Sequence, residues 1–204
     1  MALPDDVGVP VVQRDLTGDD LPDDRRLTGQ VFERCRLRYA DLSGMVTSGC
    51  RFVSCDLTGA DLTGSEHSGT AFTNCRFEGA RLSTATFTGC KLTGSELTEV
   101  VTMGLSIDGG DWSYVNLRGA DLTGQRLAGL RLAHADLSEA DLRGAVLRGA
   151  DLTAATLRGA RLDGADLADA ELRDVALADA ELRGARLDLA GAVRLAESLG
   201  VRIE

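Results

Sequence analysis

The feature that most constrains this chain is a ladder of period five. From Leu27 to Leu187 every fifth residue falls at one phase, and 30 of those 33 positions are Leu, Phe, Ile or Trp. The exceptions are Thr47, His67 and Thr102, and nothing is inserted or deleted between the first rung and the last. Asp41-Leu42-Ser43-Gly44, Asp61-Leu62-Thr63-Gly64 and Asp121-Leu122-Thr123-Gly124 show the unit most cleanly. A period of five is neither the 3.6 of a helix nor the 2.0 of a simple strand. On a helix these leucines would smear around the whole circumference. A five-residue unit can instead supply one short extended side and one turn. Four sides then close a square coil of 20 residues, and successive coils stack about 4.8 Å apart. Backbone groups pair with the coils above and below, as buried peptide groups require.

Each position in the unit has a physical role. With the central apolar residue called i, position i−2 is mostly Ala, Cys, Ser, Thr or Val, small enough to point inward as well. Positions i−1 and i+1 are polar or charged, and i+2 is Gly in 19 of the 33 units, as a corner with positive φ favours. A step of 20 puts Phe32, Phe52 and Phe72 in one column, continued by Leu92, Trp112 and Leu132. All five Phe and the single Trp sit at position i. The stretch from 100 to 115 is the least regular. Val100, Leu105 and Val115 enlarge the i−2 site, and Thr102 is polar where Leu belongs. Val101 and Met103 are expected to point outward. A distorted coil and simple drift in a tolerant repeat both fit.

Three segments follow. Residues 1–13 read as a loose lead-in, with Pro4, Pro10 and little to bury. The repeat array covers 14–188, opening out of step. Leu16 and Leu21 are five apart but Leu21 and Leu27 are six, which predicts a bulge near Pro22-Asp23-Asp24. Residues 189–204 leave the pattern and predict a C-terminal helix and tail. Asp188 is placed to cap a helix from Leu189 to Leu199, with Gly200 as its stop. Leu189, Ala192, Val193, Leu195, Ala196 and Leu199 fill one arc of that helix, with Arg194, Glu197 and Ser198 on the other side. Val201 and Ile203 extend the apolar character. An open solenoid end is an exposed edge, so this segment is expected to cap its own coil, to pair with a second copy, or both.

Composition bounds the function. Aromatics are only 4% of the 204 residues, thin for a compact core and more usual in a stacked repeat. The net charge of −10 argues against binding a nucleic-acid backbone and suits a partner with a basic surface. Residues 1–24 hold seven Asp and one Arg, a net −6 of that total. Met1 to Pro10 shows neither the basic nor the apolar part of a secretory signal. No run of 18 apolar residues occurs, so no membrane span is expected. A cytoplasmic location is the expectation.

The ladder also absorbs the residues that could carry chemistry. Cys35, Cys50, Cys55, Cys75 and Cys90 all fall at i−2, where they read as small buried hydrophobes. His67 points inward at position i, between Thr47 and Phe87 in its column, and reads as a satisfied core histidine. His134, at i+2, is expected to be solvated. The glycines follow the corner period, so they are no phosphate loop. We therefore expect no catalytic residues, no cofactor, no metal and no enzyme activity.

What remains is the outer surface. Sorted by steps of 20, the sides starting at Leu27 and Phe32 each sum to zero charge, and those starting at Leu37 and Leu42 each sum to −2. The candidate partner-binding acids on the last two are Asp41, Asp56, Asp61, Glu78, Glu96, Glu99, Asp121, Asp136, Glu139 and Asp141. Arginines such as Arg36, Arg38, Arg76, Arg81, Arg118 and Arg161 interrupt them, which a plain solvated surface would also show.

This pattern resembles the pentapeptide-repeat family, A-(D/N)-L-x-x, over roughly residues 14–188. The resemblance implies an all-β solenoid, a right-handed quadrilateral β-helix of about eight coils, followed by the short C-terminal α-helix. Some members of the family bind bacterial type II topoisomerases in the place of duplex DNA. The segment Ser65-Glu66-His67-Ser68-Gly69-Thr70-Ala71-Phe72-Thr73-Asn74-Cys75 looks like the mycobacterial fluoroquinolone-resistance (MfpA-type) subgroup. So do Leu117-Arg118-Gly119, the run from Leu147 to Leu152, and the end from Gly184 to Asp188 leading into an Ala-rich helix. Qnr-type members carry projecting loops, for which the unbroken register from Leu27 to Leu187 leaves no room. The resemblance thus implies a DNA mimic that binds DNA gyrase and inhibits supercoiling. It extends to protection of gyrase from fluoroquinolones or a natural poison. It also implies a homodimer joined through Leu189, Ala192, Val193, Leu195, Ala196, Leu199, Val201 and Ile203, with no direct nucleic-acid binding. The alternative is a non-catalytic adaptor that binds another protein. Charge tempers the mimicry: an ~80 Å dimer carries twice −10, whereas duplex DNA of that length carries about 47 charges.

Overall fold

The computed structural model describes residues 9–202. The chain divides into two units, Met1–Gly110 and Asp111–Glu204. Both are built from the 20-residue step.

In the first unit, strands Val11–Val12, Val31–Glu33, Arg51–Val53 and Ala71–Thr73 make one parallel sheet. Arg26–Thr28, Val46–Ser48, Glu66–Ser68, Thr86–Thr88 and Ser106–Asp108 make a second, five-stranded one. Identical repeat positions pair in register: Phe32 with Phe52 and Phe72, and Leu27 with Thr47, His67, Phe87 and Ile107. The period-five pattern thereby becomes columns. Phe32 stacks on Phe52 and Phe52 on Phe72, with ring centroids 4.6 and 4.8 Å apart and planes within 10°. That spacing is the interstrand distance, so one geometry satisfies backbone pairing and ring packing together.

The fold is the expected β-solenoid with a short C-terminal helix, and the coil count is where it differs. Extended strands mark about five turns rather than eight. The other sides pair through single residues, such as Asp41 with Asp61 and Asp111 with Arg131, because turns crowd them at both ends. The second unit is held this way throughout, in columns such as Asp121–Asp141–Arg161–Glu181 and Arg131–Asp151–Glu171. Every rung residue there from Trp112 to Leu177 is buried. Each such Leu contributes about 1.5–3 kcal/mol by leaving water.

The expected bulge shows in the register. Val11 pairs with Phe32 and Asp15 with Arg36, a step of 21, whereas Arg26 with Val46 and all later pairs step by 20. The extra residue is absorbed where Gly18–Asp20 forms a 3-10 turn and the Arg25 N–H closes back on the Pro22 carbonyl at 2.9 Å. The lead-in is shorter than expected. Val11 is 3% exposed and its strand lies on Val31–Glu33, so the solenoid is already under way at residue 11. Val11, Leu16 and Leu21 are themselves five apart, and that spacing was the available signal.

Up to Asp108 the irregular stretch keeps its register on the preceding coil. Arg81 pairs with Val101 and Ser106 with Thr86, Thr102 and Leu105 are buried, and Val101 and Met103 point outward. The first unit ends on Gly110, which stands at an i−2 site with φ 108°, where a Cβ would run into the Cys90 carbonyl.

The helix spans Leu189–Ser198. The Asp188 carboxylate caps it by accepting the Gly191 N–H at 2.7 Å. Gly200 (φ 80°) stops it: Val201 N donates to the Ala196 carbonyl and Gly200 N to that of Glu197. These two bonds, around a left-handed glycine, satisfy the last carbonyls. Preceding it, the side at Leu177–Asp179 is a 3-10 turn instead of a bridge, and the helix packs on it.

Candidate partner-binding surface

The interior offers no reactive centre among the described residues. His67 is buried, and both ring nitrogens are bonded. Thr47 Oγ1 lies 2.7 Å from Nδ1, and Ser65 Oγ lies 2.9 Å from Nε2. Ser65 donates its own hydrogen to the Leu62 carbonyl at 2.8 Å, so it accepts from Nε2–H, and Nδ1 accepts from Thr47. Thr47 lies 2.9 Å from the Thr70 hydroxyl, which can donate to it. Burial keeps the imidazole neutral, holding its pKa down at about 3, and the Ser65 bond then fixes the Nε2–H tautomer. All five cysteines are buried free thiols. Burial pushes Cys90 up to about 11, while Sγ donates to the His67 carbonyl. These are not activated nucleophiles. The described residues hold no His, Cys, Asp and Glu grouping suited to a metal ion, and no helix long and apolar enough to cross a membrane.

The ten acids divide by what they touch. Asp41, Asp56, Asp61, Asp121, Asp136 and Asp141 stand at i−1, and each carboxylate accepts the backbone N–H two residues on, at 2.9–3.2 Å. This local turn bond is a structural reason for Asp beside Leu in the repeat. Several also meet arginine. Asp41 bonds Arg25 at 3.0 Å, Asp56 bonds Arg38 at 3.0 Å, and Arg81 lies 3.7 Å from Asp61. Asp141 is held by both Arg143 (2.6 Å) and Arg161 (3.3 Å). Asp41 is lowered to about 2 chiefly by the Ser43 hydroxyl, and Asp141 to about 2 chiefly by Arg143. Among the glutamates, Glu96 pairs with Arg76 at 3.2 Å and Glu139 with Arg118 at 2.5 Å.

The ten acids fall on both units. Asp41, Asp56, Asp61, Glu78, Glu96 and Glu99 lie on the first unit, and Asp121, Asp136, Glu139 and Asp141 on the second. Glu78 and Glu99 make no ion pair among the described residues. They line a shallow groove of about 330 Å³ with Arg38, Tyr39, Thr58 and the Gly59 and Gly79 backbone. Tyr39, 73% exposed, was not singled out from the sequence. Its ring lies across Gly59, where a Cβ would overlap it. The available signal was an aromatic residue at a corner where the other repeats favour Gly.

The helix is oriented differently from a simple cap. Its packed side is Gly191, Leu195 and Ser198, and Ser198 Oγ accepts the Ala178 N–H at 3.1 Å. Ser198, expected on the solvent side, thus faces the coil, because its hydroxyl satisfies a backbone donor of the 3-10 turn. Leu195 is half-buried. Of the remaining apolar arc, Leu189 is 83% and Leu199 64% exposed, Ala192 is exposed, and Val193 and Ala196 are half-buried. Val201 is exposed beyond it, and Ile203 lies outside the described residues. The protomer leaves an apolar stripe uncovered.

Family comparison agrees with this geometry. A model of pentapeptide repeats (8 copies) matches residues 27–66, 116–153 and 150–188, just over half the chain, and a second (9 copies) matches 52–96. No curated protein matches the sequence. Among solved structures, a trypsin-treated form of QnrB1, a plasmid-mediated fluoroquinolone resistance protein, is similar with a TM-score of 0.76 at 22% identity. It covers 96% of this chain and 99% of its own. Full-length QnrB1 gives 0.66, covering 95% and 100%. HetL, a pentapeptide repeat protein involved in heterocyst differentiation regulation from the cyanobacterium Nostoc sp. strain PCC 7120, gives 0.51 at 29% identity, covering 88% and 87%. With its five-residue ladder, parallel columns and matched repeats, the chain belongs to the pentapeptide-repeat family.

Proposed function

We propose that this protein is a cytoplasmic, non-catalytic binding protein that occupies the DNA site of DNA gyrase. It thereby inhibits supercoiling and protects the enzyme from a fluoroquinolone or a natural poison. The observation that carries the reading is the constant step of 20 within each unit, which sets the outward side chains in straight columns, with the net −2 of the Leu37 and of the Leu42 side against zero on the other two. The fold likeness to QnrB1 and the resemblance to the mycobacterial subgroup support it. Since arginines offset many of the acids, Glu78, Glu99 and Asp136 carry the charge left for a basic partner. The uncovered stripe of Leu189, Ala192, Val193, Ala196, Leu199 and Val201 supports a homodimer through the C-terminal segment. The protein binds no nucleic acid directly.

The test is a gyrase supercoiling assay with charge-reversed variants. Glu78→Lys with Glu99→Lys should weaken inhibition more than Glu33→Lys with Glu66→Lys on the other two sides. Equal loss from both pairs would sink the assignment to the Leu37 and Leu42 sides. A second reading, an adaptor for a different protein, is favoured by the Arg–carboxylate pairing along those sides and by HetL, whose described role is developmental regulation.

A further inference from the structure

One corner of the repeat forgoes glycine. At the i+2 positions that follow the Phe32 side, the first unit carries Arg34, Ser54 and Asn74, with Gly94 next in the series. The second unit carries Tyr114, His134, Ala154 and Asp174 there, with φ of 59°, 59°, 54° and 57°. At the corner following Leu42 the second unit instead has Gly124, Gly144, Gly164 and Gly184. A side chain in this left-handed region costs on the order of 1 kcal/mol. In the second unit that cost is met four times in one column, at positions where glycine would relieve it.

The side chains so displayed form a partial stack. The Tyr114 and His134 rings lie parallel, centroids 4.6 Å apart and planes 7° apart, with Tyr114 60% exposed. Tyr114 N donates to the Ala133 carbonyl, His134 N to that of Thr153 and Ala154 N to that of Arg173, so the column advances one rung at a time. Tyr114 covers one face of the imidazole. On its other face the next rung brings only the methyl of Ala154, and the rung after brings the exposed carboxylate of Asp174.

We propose that the space over Ala154 is a receptor for an arginine side chain presented by a protein partner with a basic surface. A guanidinium there continues the stack on His134 and meets Asp174 at the following rung. The planar cation fits both demands, stacking and pairing with a carboxylate, whereas an ammonium has no plane to stack. The proposal does not depend on gyrase being that partner.

The experiment is an NMR titration of the full chain, observing the Tyr114 and His134 ring resonances. Capped tri-arginine and tri-lysine peptides are added at equal concentration. Tri-arginine should move both rings several-fold more than tri-lysine. Ala154→Tyr, which fills the space with a third ring, should bring the two responses to the same low level. Asp174→Asn should reduce the tri-arginine response and leave the stack in place. Circular dichroism and the remaining amide spectrum show whether each variant is folded. If Ala154→Tyr does not fold, Asp174→Asn and the wild-type comparison decide alone. Equal responses to the two peptides in the wild type, or an unchanged arginine response in a folded Ala154→Tyr variant, would overturn the proposal.

Discussion

The hydroxyl of Thr47 donates to Nδ1 of His67 across 2.7 Å, in a column whose other rungs in the first unit are Leu27, Phe87 and Ile107. A polar pair in a core is tolerated when each member is satisfied. Here two of the three residues that break the apolar ladder are neighbours in space and satisfy one another. Thr47→Val leaves the imidazole acceptor unmet and should cost about 1–3 kcal/mol. Thr47→Leu with His67→Phe, which removes both polar groups, should cost less than the sum of the two single changes. Urea unfolding of the four proteins measures this, and additive losses would contradict the pairing.

The same histidine makes stability depend on pH. Its folded pKa, about 3, lies below the ordinary value of 6.5. Between those values the unfolded chain binds a proton that the folded chain does not. Stability is therefore full above pH 6.5 and falls as pH drops toward 3, by up to about 1.4 kcal/mol per unit from this group. The window from pH 6.5 to 5 isolates it, because Asp41 and Asp141, lowered to about 2, remain ionised there in both states. The Thr47→Leu, His67→Phe double variant should lose this slope in denaturant midpoints taken at pH 5, 6 and 7. An unchanged slope would place the proton elsewhere.

Phe52 has a parallel ring on each side, from Phe32 and Phe72. Phe52→Ala should cost about 3–5 kcal/mol. Phe52→Leu, the residue most rungs use, should cost clearly less. Thermal unfolding distinguishes the two, and equal losses would show that the stacked rings add nothing beyond volume.

Gly59 and Gly44 share a left-handed corner conformation, but only Gly59 lies under a side chain, that of Tyr39. Gly44→Ala should cost on the order of 1 kcal/mol from backbone strain alone. Gly59→Ala should cost more, and Tyr39→Ser should return it to the Gly44→Ala level. Failure of that rescue in chemical denaturation would mean that the ring moves aside freely.

Much of this was legible in the sequence because the five-residue period is a direct image of the coil. Leu, Phe and Cys columns, glycine corners and the fate of His67 follow from counting in steps of 20. Three things did not follow. The start at Val11 was hidden behind the extra residue before Leu27. The role of Asp beside Leu is a turn bond made by its own backbone, so an outward carboxylate was counted as free when it was already engaged. The orientation of the helix depended on Ser198 meeting Ala178, a contact between segments that a helical wheel cannot contain.

That orientation bears on assembly. Leu199→Asp or Leu189→Asp places a charge on the uncovered stripe and should give a monomer by light scattering, with little loss of thermal stability in the protomer. Leu195→Ala, on the packed side, should lower stability instead. A dimer that survives both aspartate variants would leave the helix as a cap only.

The central claim is that the protein takes the place of duplex DNA on gyrase. The direct measurement is displacement of a fluorescently labelled duplex from gyrase, followed by anisotropy. The account predicts release of the duplex at micromolar protein or below, and no change in anisotropy when gyrase is omitted. Retention of the duplex at saturating protein, or binding of the duplex by the protein itself, would contradict it.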